Sequence, residues 1–331
     1  MNLRQMEYLL TIVETKNISR AADRCYISQS GMSQQLASVE RELGVSLFQR
    51  VNNELIPTKE GDIYLHYARE ILGLHTRALK EIEDCANPNK GRILIGIGPE
   101  RGNAMIQQVF PVFRRSYPQM QLQIVENHLQ ELEQMVCNNM LDISEAAYTP
   151  EIPASISEHV KKIDLYAERI MLIMPQNSYY ERKLEQLRAL EDYSVVDLCD
   201  FRNENFILPT EVRVRLRTVL DRTFENAGFG PKVTLETSNN ASAINYVADG
   251  NYVSLVPQSY CYSIYGKTDR VFYRALKQNP YWIRALIYRK ETKLTDAEKK
   301  LISVIKDFHK PVIENLKRDC ENLPEVPEIE E

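Results

Sequence analysis

The stretch Ser28-Gln29-Ser30-Gly31-Met32-Ser33-Gln34-Gln35-Leu36-Ala37-Ser38-Val39-Glu40-Arg41-Glu42-Leu43-Gly44 decides how the chain is read. Its large apolar residues, Met32, Leu36, Val39 and Leu43, recur at helical spacing and mark one face of an α-helix. Ser28 suits the N-cap, and Gly44 suits the left-handed residue beyond the end. The opposite face near the N-terminus carries Gln29, Ser30, Ser33 and Gln34, all uncharged and rich in donors and acceptors. Such a face is either an ordinary solvated surface or one shaped to meet base edges in a DNA major groove. The neighbouring segments bear on the choice.

Upstream, Leu3 to Thr15 reads as a first helix with Leu3, Met6, Leu9, Leu10 and Val13 inward. Ser19 is the expected cap of a second, short helix, whose Ala21 and Ala22 allow the close packing of a helix-turn-helix. Downstream come Val45, Leu47, Phe48 and Arg50, then the turn-prone pair Asn52-Asn53, then Leu55 and Ile56. Two short strands around that turn make a wing and place Arg50 near a phosphate or the minor groove.

The pattern Ala21-Ala22, Ser28-Gln29-Ser30, Leu36, Glu40, Leu43-Gly44, Leu47-Phe48, Arg50, Pro57-Thr58 and Gly61 resembles the N-terminus of the LysR-type transcriptional regulators. Asn52 and Asn53 stand where that family commonly carries a second basic residue, and Gln34 where it often carries an arginine. Both changes remove positive charge, which bears on phosphate attraction rather than on base reading. The resemblance implies a transcriptional regulator, not an enzyme. It implies double-stranded DNA with a pseudo-palindromic operator as partner, with RNA polymerase as a further one. Gln29, Ser30, Ser33 and Gln34 are the expected base readers, and Arg50 the backbone or minor-groove contact.

Thr58 is the expected cap of a long helix to about Cys85. Leu65, Ala68, Leu72, His75, Leu79 and Ile82 alternate by three and four, the spacing of a two-helix seam, which predicts a homodimer at least. Beyond the hinge at Asn87-Pro88-Asn89, buried strands such as Ile93-Leu94-Ile95 and Ile170-Met171-Leu172-Ile173 alternate with helices, the signature of an α/β sheet. Gly96, Gly98 and Gly102 miss the dinucleotide-binding spacing by one residue. The capping box Thr295–Glu298 opens a last helix, which Pro311 is expected to interrupt.

The expected fold is therefore multidomain. An α-rich winged helix-turn-helix spans 1–58, a coiled-coil linker helix 59–90, a two-lobed α/β domain 91–309, and an acidic tail 310–331. Lobe I takes 91–164 and 268–309, and lobe II takes 165–267. The resemblance extends to this domain, which is built like a periplasmic binding protein and takes a small-molecule effector between its lobes. Pro99, Glu100, Arg101, Gly102, Tyr148, Thr210, Glu211, Asn239 and Asn240 are the expected lining.

Net charge is −5, but residues 311–331 alone hold seven acidic against two basic residues. The first 60 residues balance at seven and seven, so DNA affinity must come from placement rather than a bulk positive field. No apolar run is long enough to span a membrane, and the N-terminus lacks a signal-peptide pattern, which together predict a cytoplasmic protein. The six cysteines and five histidines are scattered, so no metal or cofactor is expected. Two rivals stand beside this reading. One is an effector-independent regulator controlled by a protein partner, and the other a cytoplasmic small-molecule-binding protein.

Overall fold

The computed structural model describes residues 2–86, 90–149, 158–188, 195–210, 215–262 and 268–318. The chain divides into two compact units, Met1–Gly91 with Asn138–Met140, and the rest of the chain from Arg92.

In the first unit, α1 (Leu3–Thr15), α2 (Ile18–Arg24) and α3 (Gln29–Leu43) precede the hairpin β1 (Phe48–Val51) and β2 (Glu54–Pro57), and α4 (Lys59–Ala86) follows. Tyr8, Leu9, Ile12, Ala21, Ala22, Met32, Leu36, Val39, Leu47, Phe48, Leu55 and Leu65 form its core. Ser28 caps α3 by accepting from Gly31 N–H at 3.0 Å, and Gly44 ends it at φ 72°. The cap of α2 is Asn17, not Ser19, because its side-chain oxygen accepts from Arg20 N–H at 3.1 Å. Asn52 and Asn53 take φ of 48° and 68° in the two-residue turn of the wing. Twisted hairpins favour such left-handed turns, and asparagine tolerates them better than any other side-chain-bearing residue.

Thr58 donates its hydroxyl to Ser46 O at 2.7 Å and accepts from Gly61 N–H at 3.0 Å, which starts α4 on the wing. A Cβ on Gly61 would lie 2.0 Å from Leu47 O, so only glycine lets the helix approach that closely. The seam expectation needs correction along α4. Leu65 and Ala68 are each 1% exposed, Leu65 within this unit's own core, so they are not available to a partner helix. Leu79 and Ile82 of the expected seam are exposed, and the other outward apolar residues are Ile63, Tyr67, Ile71 and Leu74; Leu72 is half-buried and His75 exposed. The first turns of α4 spend their inner face on the winged domain, and this moves the free stripe off the expected heptad over the first half of the helix.

The second unit opens with β3 (Arg92–Ile97), α5 (Arg101–Ser116), β4 (Gln121–Glu126), α6 (Leu129–Cys137) and β5 (Ile143–Tyr148). Then come β6 (Val160–Pro175), α7 (Ser178–Arg188), β7 (Val195–Val196), β8 (Asn205–Leu208), α8 (Arg215–Asn226), β9 (Lys232–Glu236), α9 (Asn240–Asp249) and β10 (Val253–Pro257). The strands β11 (Val271–Leu276) and β12 (Tyr281–Arg289) and the helix α10 (Asp296–Arg318) close the unit. The sheet runs β4-β3-β5-β12-β6-β10-β8-β9, with β11 between β6 and β7. Strand β6 is shared. Residues 160–169 pair with β12 in lobe I, and residues 170–175 pair with β10 and β11 in lobe II. Each lobe has its own apolar core, one around Phe206, Leu220 and Phe224, the other around Ile95, Phe113 and Ile305.

Two expected boundaries move. Strand β11 pairs with Leu172–Pro175 of β6 and with β7, so the chain is still in lobe II there and returns to lobe I only at β12. The last helix continues through Pro311 to Arg318. Proline removes one N–H, but the carbonyl it strands, on Asp307, lies on the exposed side, while Val312, Ile313 and Leu316 keep packing inward. Residues 319–331, most of the acidic tail, lie outside the described residues. No helix among the described residues is long and apolar enough to cross a membrane.

Candidate functional sites: the recognition helix and the interlobe cleft

On α3, Gln29, Ser30 and Gln34 are exposed and Ser33 is half-buried, while Met32, Leu36 and Val39 are buried. The helix is held by groups that sequence periodicity does not reveal. Gln5 of α1 donates to Gln35 Oε1 at 3.1 Å. Glu40 accepts from Leu47 N–H at 2.7 Å and Phe48 N–H at 3.3 Å, which ties the end of α3 to the wing. Arg50 stands exposed on β1 opposite Leu55.

The cleft between the lobes holds a pocket of about 90 Å³, partly open to solvent. Of the expected lining, Pro99, Glu100, Arg101, Gly102 and Asn240 face it. Tyr148 does not. Side chains alternate along β5, so Glu145 faces the cavity while Tyr148 packs with Ile283 and Ala285 and donates its hydroxyl to Asp164 at 2.6 Å. Burial and Asp164 push the Tyr148 phenol well above its ordinary pKa. Asn239 is the cap of α9, its oxygen taken by Ser242 N–H at 2.7 Å. Thr210 is half-buried but off the lining, and Glu211 lies outside the described residues.

The residues missed from sequence carry most of the charge. Arg284 binds Glu145 at 2.9 Å, and Glu145 also accepts from Gly98 N–H at 2.9 Å. Arg215 of α8 pairs with Glu133 of α6 across the cleft. Burial pushes the Glu133 carboxyl up to about 7, and Arg215 pulls the other way. Arg101 binds Glu168 at 3.0 and 3.3 Å and donates to Ser259, with its guanidinium over the Tyr260 ring at 4.9 Å. Glu168 also accepts from Trp282 Nε1 at 2.7 Å and Ser259 N–H at 3.1 Å. Burial alone would raise the Glu168 pKa, but Arg101 outweighs it and holds the carboxyl below the usual range. The signal for these residues was present: a charge inside an apolar strand, as in Glu145, Glu168 and Arg284, requires a buried partner.

His309 is buried behind this network against Tyr166, and neither ring nitrogen has a hydrogen-bond partner among the described residues. Burial, then Arg284 and Arg101, pull its pKa from 6.5 down to about 3, while Glu168 opposes them. The unfolded chain therefore binds this proton below pH 6.5 while the folded chain does not. Stability should fall as pH drops from 6.5 toward 3, by up to about 1.4 kcal/mol per pH unit from this group. His309→Phe should flatten that slope in urea titrations at pH 4–7. An unchanged slope would remove His309 as its source.

Two family models match the chain. "Bacterial regulatory helix-turn-helix protein, lysR family" covers residues 3–62, and "LysR substrate binding domain" covers residues 86–310. Among curated relatives, the transcriptional dual regulator GltC of Bacillus subtilis is 28% identical over 259 residues, 78% of this chain and 81% of its own. A probable RuBisCO transcriptional regulator of Porphyra purpurea is 26% identical over 252 residues, 75% of each chain. Among solved structures, full-length CbnR complexed with its target DNA has a TM-score of 0.57 at 18% identity, covering 93% of this chain and 100% of that one. Full-length OxyR C199D from Pseudomonas aeruginosa has a TM-score of 0.56 at 22% identity, covering 93% and 94%. Those structural likenesses establish the fold, and with both family models in their expected places the chain belongs to the LysR family of transcriptional regulators, a DNA-binding helix-turn-helix followed by a substrate-binding domain.

Proposed function

We propose that Gln29, Ser30, Ser33 and Gln34 read base edges in the major groove while Arg50 holds the DNA backbone or the minor groove. The observation that carries this is the uncharged, donor- and acceptor-rich exposed face of α3 beside an exposed arginine on the wing. The protein works in the cytoplasm as a homodimer at least, joined through the outward stripe of α4, on a pseudo-palindromic operator. RNA polymerase is the partner downstream of DNA binding. A small effector enters the interlobe cleft and acts by favouring one lobe arrangement over another, which requires different affinities for the two.

Fluorescence anisotropy on DNA from upstream of the protein's own gene, against a scrambled duplex over a salt series, tests the DNA half. Tighter binding to the upstream duplex that persists as salt rises is the expected result. Equal, salt-labile binding to both would reduce the site to phosphate attraction. A thermal-stability screen of metabolites tests the effector half, and stabilisation by at least one compound is expected.

A further inference from the structure

Four places around the cleft suit an anion: the guanidinium groups of Arg101, Arg215 and Arg284, and the first turn of α9. The protein's own carboxylates fill all four. Glu168 takes Arg101, Glu133 takes Arg215, Glu145 takes Arg284, and Glu100 accepts from Asn240 N–H of α9 at 2.8 Å. An incoming carboxylate must displace one of them or rely on the single open donor, the buried Nε of Arg215, which has no hydrogen-bond partner among the described residues.

Glu100 differs from the other three. It reaches from the loop after β3 in lobe I to a helix of lobe II, where it meets a backbone N–H and the Tyr260 hydroxyl, and it makes no ion pair among the described residues. Its second oxygen, Oε2, is buried and accepts no hydrogen bond among the described residues. A buried carboxylate oxygen without a donor is costly, and a charged donor is its best remedy. The walls beside it, Leu129, Leu216 and the rings of Tyr260 and Trp282, suit a short carbon body.

We infer that the cleft takes a small ligand bearing a protonated amine, which donates to Oε2 of Glu100 as the lobes part and reclose, rather than a ligand recognised by carboxylate alone. This rests on the cleft being the effector site. Glu100→Gln is the informative change, because the amide oxygen can keep the Asn240 N–H bond while its NH₂ replaces the open acceptor.

The test is calorimetry and thermal shift on the full chain, wild type and Glu100→Gln, at constant ionic strength. The amine probes are ethanolamine, putrescine and lysine, and the carboxylate probes are acetate, succinate and 2-oxoglutarate. At least one amine should bind the wild type, and bind Glu100→Gln tenfold or more weakly, with no response to the carboxylates. Equal amine binding by both proteins overturns Glu100 as the acceptor. Binding of a carboxylate without any amine overturns the ligand class while leaving the effector site standing. Silence from all six also overturns the amine assignment, and the effector reading then stands or falls on the metabolite screen.

Discussion

Glu168→Ala should destabilise the regulatory unit by about 3–5 kcal/mol, the usual cost of removing one partner from a buried ion pair. Glu168 is fully buried, and its loss strands the Arg101 guanidinium, which is only 15% exposed. It also strands the donors of Ser259 N–H and Trp282 Nε1. Glu168→Gln keeps an acceptor but no charge and should fall between the variant and the wild type. Trp282 is the chain's one tryptophan, so its fluorescence in urea reads the event beside the lost contact. A loss below about 1 kcal/mol would mean that water or a neighbouring acceptor replaces the carboxylate, and the central role given to Glu168 would be wrong.

The second large effect is expected on recognition rather than on folding. Gln29→Ala with Gln34→Ala removes side chains that are exposed, so melting should change little. Each well-placed bidentate base contact is worth about 1–3 kcal/mol of discrimination. The ratio of operator to scrambled-DNA affinity should therefore drop by about tenfold or more. The salt dependence should hardly change, because no charge is removed. Arg50→Ala should do the reverse, weakening both duplexes alike and flattening the salt slope. A double variant whose ratio matches the wild type would take base reading away from this face of α3.

The N-terminal unit was legible because its information is local. Cap, stripe and turn residues lie within a few positions of one another, as in Ser28 with Gly31 and Asn52 with Asn53. The misreading of Ser19 for Asn17 as a cap was an error of two residues between chemically similar caps. The first half of the heptad on α4 failed differently. Periodicity shows that Leu65 and Ala68 share a face, but not that the winged domain's own interior takes that face first.

The cleft was half legible for a related reason. The loop after β3 and the start of α9 could be placed from the family resemblance and the expected lobe geometry, which found Glu100, Arg101 and Asn240. Pairing could not. Glu145 meets Arg284 across 139 residues of chain, and Arg101 meets Glu168 across 67. Tyr148 was lost by strand parity, since a shift of one residue moves a side chain to the other side of the sheet.

Strand β6 sets the kind of motion that the regulatory unit can make. Two lobes on slack linkers swing like a hinged box. Here one strand of 16 residues passes from lobe to lobe without a break, bonded to β12 over its first part and held between β10 and β11 over its last. The chain crosses back once more between β11 and β12, so two crossings, one of them the middle of a fully bonded strand, join the lobes. Any change in lobe arrangement must therefore be absorbed within hydrogen-bonded strand rather than in free loop.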